Sequence, residues 1–229
     1  MLNLQGYGPS ILQGTILTME LCLASLVIAT FLGIITAFAK LSSNRTLNIT
    51  ATAYTTVIRG IPDLVLMLLV FFGGQIFINQ LGPMVGYEEY IDINPFVAGV
   101  STIGFIFGAY MAETFRGAIL AVPGGQLEAG SAYGMSRSKV FYRILLPQMV
   151  RHAIPGFGNN WLVLMKTTAL VSIIGLNDMV RMAGFAAGAT RRPFTFYLVV
   201  AINYLILTSI SILILNRLNK KYSAGFIKD

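Results

Sequence analysis

Long stretches without charge alternate with short charged interruptions along this chain. Charge-free runs cover residues 21–39, 64–79, 93–112 and 193–216. Each approaches the roughly 20 residues that a helix rising about 1.5 Å per residue needs to cross about 30 Å of hydrocarbon. A fifth run, 154–177, is interrupted by Lys166 but is dense in Leu, Val, Ile and Ala, and it too reads as a crossing. The pattern predicts an all-α, polytopic membrane protein of about five transmembrane helices, forming a single domain over residues 1–229. No internal repeat is evident, and the connections are too short to hold a separate soluble domain.

The flanks of these runs set an orientation. Lys40, Arg45 and Arg59 follow the first run, Arg116, Arg137, Lys139, Arg143 and Arg151 follow the third, and Arg217, Lys220, Lys221 and Lys228 follow the last. The connection after the second run carries Glu88, Glu89 and Asp92 with no Lys or Arg. An outside amino terminus puts all three basic segments in the cytoplasm, as the inside excess of Lys and Arg requires. Arg181, Arg191 and Arg192 violate the rule in the second outer connection.

Composition agrees with a lipid-solvated surface: 55% of residues are hydrophobic and only 11% are charged, well below the quarter or so usual in soluble domains. The net charge of +7 calls for no nucleic-acid partner, because topology and anionic lipid account for it. The single cysteine, Cys22, sits among apolar residues and reads as packing. The amino terminus has neither a basic flank nor a small-residue cleavage site, so a removable signal peptide is not expected. A metal site is not expected either, since there is one His and one Cys, far apart in sequence.

The most polar stretch is "EAGSAYGMSRSKVFYRILLP", Glu128 to Pro147, which follows "AVPGGQ", Ala121 to Gln126. Pro and two Gly turn the chain there. A short helix is expected from near Gly125 with Glu128 in its first turn, where a carboxylate suits the exposed amides. Gly134 then bends the chain, and Ser136 caps a second short helix ending near Pro147. Ala129, Gly130, Ser131 and Ala132 would let another protein's backbone approach closely, although an ordinary interfacial connector would also be rich in small residues.

On these residues the chain resembles a known family. "EAGSAYG" followed by "ILLP" is similar to the EAA signature of inner-membrane permease subunits of binding-protein-dependent ABC importers, with Gly130 standing where a second alanine is usual. "RGIPDLVLMLLVFFG", "ETFRGAILAVPGGQLEAG" and "LPQMVRHAIPGFGNNWLVLMKTTALVSIIGLNDM" extend the similarity to most of the chain and to its polar amino-acid branch. "RGIPD" most resembles Q-type permeases for histidine, lysine, arginine and ornithine.

The resemblance implies a type I ABC importer permease fold in a bacterial inner membrane, with a cytoplasmic coupling segment at about 124–147. Glu128, Ala129, Gly134 and Arg137 would seat in an ATPase. The implied partners are a second permease subunit, identical or related, two cytoplasmic ATPases that bind ATP and Mg, a periplasmic binding protein, and a polar L-amino acid as cargo. No cofactor is implied in this chain. It carries no phosphate-cradling GxxxxGK[ST] and no hydrolase elbow, so it is not expected to be an enzyme. A self-contained secondary transporter or channel is the alternative, which would run without an ATPase.

Depth sorts the remaining charges. If the first helix begins near Ile11, Glu20 lies about 14 Å deep, near the bilayer centre. Lys166, about 18 Å beyond His152, is also central. Ionisable groups inside a membrane cost several kcal/mol unless paired or facing a wet cavity. Glu20 and Lys166 therefore either neutralise each other or line the substrate path, together with Asn160, Thr167 and Ser172. Pro155, Gly156 and Gly158 are expected to keep the start of this fourth span irregular.

Asp63, just after Pro62, reads as a helix-start residue or a gate contact. Glu113 and Arg116, three apart, read as a local ion pair or gate support. Arg181, Arg191 and Arg192 are either simple surface charges or a docking site for the binding protein.

Overall fold

The computed structural model describes residues 4–87 and 89–223, so Glu88 and Lys228 of the charge pattern lie outside the described residues. Those described form helices and connections, with no strand among them. Helix α1, Gly8–Leu41, is 34 residues long, about 51 Å. It begins well before the charge-free run, because one carboxylate at Glu20 interrupts a hydropathy pattern without interrupting a helix.

Helix α2, Arg45–Gly60, occupies what the charge pattern treated as a loop. Asn44 caps it, its side chain accepting from the Thr46 and Leu47 amides at 3.0 and 3.5 Å, and Ala51, Thr55 and Ile58 form its buried face. Its polar, threonine-rich outer face hides it from any search for apolar runs. Ile61 ends it in an extended conformation (φ −110°, ψ 139°), as the Pro62 ring demands of the residue before it.

Helix α3, Asp63–Leu81, starts directly after that proline. A 3-10 turn, Gly82–Val85, leads on towards α4, Pro95–Leu120. Asn94 caps α4 through the Phe96 amide at 2.8 Å, and α4 is the axis of the bundle, buried along most of its length. Two short helices follow, α5 (Gly124–Ala132) and α6 (Arg137–Val140). A π-helical turn, Phe141–Leu145, then leads into α7, Leu146–Thr167. A 3-10 segment, Thr168–Ser172, precedes α8 (Met179–Thr190) and α9 (Pro193–Ser223).

Four helices, α1, α3, α4 and α9, are long and apolar enough to cross a membrane. The fifth expected crossing, α7, has 22 residues, about 33 Å and so long enough, but it is strongly two-faced and more polar than the other four. Its irregular parts are not where they were expected. The helix runs through Pro155, and Gly156 and Gly158 serve packing instead: a Cβ at Gly156 would stand 2.8 Å from Thr114 Cγ2, and one at Gly158 3.1 Å from Leu215. The distortion lies upstream, where Pro147 has no amide to offer the carbonyl four residues back and the Leu146 amide donates to Phe141, five back.

Close backbone approach fixes how α1 lies along α4. Glycines open the contact: Gly104 faces Ile28 and the Ser25 carbonyl, while Gly33 faces Met111 and Ala112. Leu21 and Val171 both meet Gly99. Contacts advance in the same direction along both chains, from Leu21 at Gly99 to Gly33 at Met111, so the two helices run parallel, and α4 supplies a ruler against which the other residues can be placed. A second apolar cluster, including Ile11, Met179, Ala183, Phe196 and Val200, ties the start of α1 to α8 and α9.

Candidate functional site

The polar stretch folds as a projecting two-helix knob. Glu128, Ala129, Gly134 and Arg137 are all exposed, and Tyr133 is 90% exposed at its tip. Gly134 adopts φ +77°, a left-handed conformation that costs a side-chain-bearing residue about 1–2 kcal/mol. Leu127, Glu128, Ser131, Arg137 and Val140 line a shallow groove of about 390 Å³ on the knob.

Three expectations need correction here. Glu128 is the fifth residue of α5 rather than a first-turn residue. Gly130 is buried inside the knob rather than offered to a partner: a Cβ there would meet Ile144 Cδ1 at 2.5 Å. Ser136 sits at the start of α6 without a side-chain capping bond, and the segment it opens runs on through the π turn into α7 instead of stopping near Pro147.

The knob is anchored at both ends. Gln148 at the start of α7 donates to Gln126 of α5 at 2.6 Å. Phe38 near the end of α1 lies against Phe141 of the π turn, with ring centroids 6.1 Å apart.

Above the knob, Glu113 accepts from Lys40 Nζ and, at 3.0 Å, from Arg116 Nε. Lys40 also donates to Thr55 Oγ1 at 2.8 Å. The Glu113–Arg116 pair is thus part of a larger cluster joining α1, α2 and α4. Asp63 is the first residue of α3, and Arg59, one turn earlier in sequence, stacks over Tyr110 at 5.4 Å.

Glu20 and Lys166 do not meet. No ion pair joins them among the described residues, and both are exposed. Leu21 packs at Gly99, 8.5 residues from the middle of α4, so Glu20 lies about 13 Å outward of that midpoint rather than at the centre. There it lines an open cavity of about 400 Å³ with Gln13, Leu17 and Asn177.

Lys166 lies between Asn160, which donates to Thr114 at 3.0 Å, and Val171 at Gly99. That bracket places it near the middle of α4. His152, Asn159, Val163 and Lys166 share one exposed face of α7. Asn160 instead turns towards α4, and Thr167 and Ser172 donate to the Val163 and Ala169 carbonyls.

The three outer arginines separate in the same way. Arg181 folds inward, donating through a terminal guanidinium nitrogen to the Ser172 carbonyl at 3.0 Å and stacking on Phe185 at 5.3 Å. Only Arg191 and Arg192 are exposed. Sequence reasoning missed Asp178, which is fully buried and caps α8 by accepting from the Val180 and Arg181 amides at 3.2 and 3.0 Å. Burial pushes its carboxyl up to about 6, against the pull of those amides and of Arg181. The signal was available, since Asp followed by an apolar, small-residue run is a helix-start pattern.

Residues 29–224 match the family model of the binding-protein-dependent transport system inner membrane component. The chain belongs to that family. Among relatives of this inner membrane component, the histidine/lysine/arginine/ornithine transport system permease protein HisQ of Salmonella typhimurium is 49% identical over 97% of each chain. The arginine ABC transporter permease protein ArtQ of Haemophilus influenzae is 39% identical over 91% of each.

The crystal structure of an amino acid ABC transporter with histidines contains a chain that superposes with a TM-score of 0.81 at 32% identity, over 94% of this permease and 95% of that chain. A MetNI methionine ABC transporter chain, at 18% identity and a TM-score of 0.69, shares the fold. The permease is therefore a multi-pass inner-membrane transport component with the type I fold and not an enzyme, and its family works with a binding protein and ATPase subunits.

Proposed function

We propose that this permease carries cationic L-amino acids inward and that its Glu128–Arg137 knob is where two partner ATPases, binding ATP and Mg, apply their force. The observation that carries this reading is the knob itself. It is a polar, exposed pair of short helices held at one end by α4 and at the other by α7, the helix that bears Lys166. The names of HisQ and ArtQ support a histidine, lysine, arginine or ornithine cargo.

The path runs along the exposed face of α7. Lys166 has no carboxylate partner among the described residues at mid-helix depth, so it needs water or an anionic ligand group, and it steers the substrate carboxylate. Glu20, about 10 Å further out by the same ruler, attracts the cationic group at the entrance. Asn160, Thr167 and Ser172 shape the wall behind Lys166, and Asp63 with Arg59 and Tyr110 lies where α2 and α3 break. A second permease subunit, identical or related, encloses the open side. Arg191 and Arg192 meet the periplasmic binding protein.

The test is ligand-stimulated ATP hydrolysis and uptake by the reconstituted complex, across arginine, lysine, histidine, ornithine and glutamine. ATP-dependent uptake of the cationic set is expected. E20Q should lower uptake of arginine and lysine more than that of glutamine. Uptake driven by an ion gradient without nucleotide would overturn the reading.

A further inference from the structure

Lys40, Thr55 and Glu113 come from three different helices and meet within hydrogen-bonding reach at the end of α4 that leads to the knob. The ion pair is largely shielded, with Lys40 and Glu113 side chains 12% and 21% exposed. The Lys40 carbonyl is engaged as well, accepting from the Asn48 side chain of α2, and Glu113 is shared with Arg116. Two residues before Lys40, Phe38 touches the π turn of the knob.

From this arrangement we infer that Lys40 is a positioning residue for transport. Resting on the function proposed above, it yokes α1 and α2 to α4, so that displacement of the knob moves three helices as one body.

The physical case rests on where load must pass. The knob joins the bundle covalently only through Ala121–Pro123 into α4 and through the π turn into α7. Helices α1 and α2 have no direct covalent link to it and feel its motion through packing, which for α1 includes the close glycine contacts with α4, and through side-chain bonds. Apolar contacts slide at little cost because they are non-directional. A shielded, charge-assisted bond resists sliding, because separating the partners leaves a charge unpaired in a poorly solvated place. Lys40 supplies two such restraints at once, one to Glu113 of α4 and one to Thr55 of α2.

The test uses the full reconstituted complex of permease subunits, ATPases and binding protein. K40M keeps the apolar stem and removes the charge. It should leave complex assembly and unstimulated ATP hydrolysis unchanged, while ATP consumed per amino acid transported rises at least about threefold. K40R should restore the ratio, which a purely packing role would not require. If K40M does not accumulate in the membrane, T55V decides, since it removes the Lys40 bond to α2 while keeping shape and the ion pair; its ratio should rise about twofold. An unchanged ratio in K40M, or in T55V where that variant decides, overturns the yoke. A wild-type complex without ATP-dependent uptake would instead overturn the function on which it rests.

Discussion

Two glycines with the same apparent crowding separate steric cost by what stands in the way. A Cβ added at Gly33 in α1 would lie 2.5 Å from Met111 Cβ, 3.1 Å from its carbonyl carbon and 3.2 Å from the Ala112 nitrogen. One added at Gly130 in the knob would also lie 2.5 Å from a neighbour, but that neighbour is the terminal methyl of Ile144. At Gly33 the obstacle is helix backbone, so relief requires α1 and α4 to separate by about 1 Å along their closest approach. Overpacking of this kind costs about 1–3 kcal/mol, offset by the roughly 1 kcal/mol that Ala gains over Gly inside a helix.

G33A should therefore lose up to about 2 kcal/mol. For a chain of this size that lowers the unfolding midpoint by up to about 8 °C. At Gly130 a change of Ile144 rotamer costs about 0.5–1.5 kcal/mol, and the same helix gain cancels most of it. G130A should shift the midpoint by less than about 2 °C, even though it restores the family's usual alanine. Thermal unfolding of the detergent-solubilised proteins, followed by intrinsic fluorescence, measures both. Equal midpoints for the two variants would refute the distinction between backbone and flexible obstacles.

Other outcomes follow from single contacts. The folded Asp178 carboxyl titrates above its unfolded value, so its burial opposes folding more strongly as pH rises from about 4 to about 6. D178N keeps an oxygen to cap α8 and removes that penalty, so its midpoint should be insensitive to this window while the wild type is lower at pH 7 than at pH 5. Charge reversal at Arg191 and Arg192 should weaken binding-protein-stimulated ATP hydrolysis in a salt-sensitive way, whereas R181E should mainly lower the unfolding midpoint, because Arg181 is folded onto Ser172 and Phe185. G134A places a side chain at φ +77° and should cost about 1 kcal/mol, read in the same thermal assay.

How legible each feature was depended on whether its signal is local. The apolar helices and the knob were readable because lipid solvation and chain reversal each leave a composition mark within a few residues. Helix α2 was not, since its buried face is only Ala51, Thr55 and Ile58 and its arginines read as loop charge. Depth failed for Glu20 because it was counted from the start of α1: that helix begins three residues before Ile11 and its first turns run out beyond the start of α4, so the count measures helix length rather than depth in the bundle. Lys40 gave no sign of a partner, since Glu113 lies 73 residues away and only the parallel packing of α1 on α4 brings them together. The inward turn of Arg181 was equally invisible, because an arginine three residues after a carboxylate reads the same whether it faces solvent or a carbonyl.

The offset between Glu20 and Lys166 bears on how the path could discriminate. Two opposite charges at one depth would neutralise each other and bind any zwitterion by its backbone groups alone. Separated by about 10 Å along the bundle, they cannot pair within one chain, and each stays available to a ligand. In the path proposed above, a cationic amino acid would meet attraction at Glu20 first and then, at Lys166, a group that repels its cation and holds its carboxylate. That order would favour entry with the carboxylate leading and the cationic side chain held back at Glu20, and would penalise a bare cation, which finds no favourable group at Lys166. Moving the carboxylate inward by about two turns on the same face of α1, with V27E in an E20Q background, should erase that discrimination by letting it compete for the lysine, and competition uptake of arginine against a simple organic cation would register the change; preserved discrimination would mean the two charges do not act in sequence.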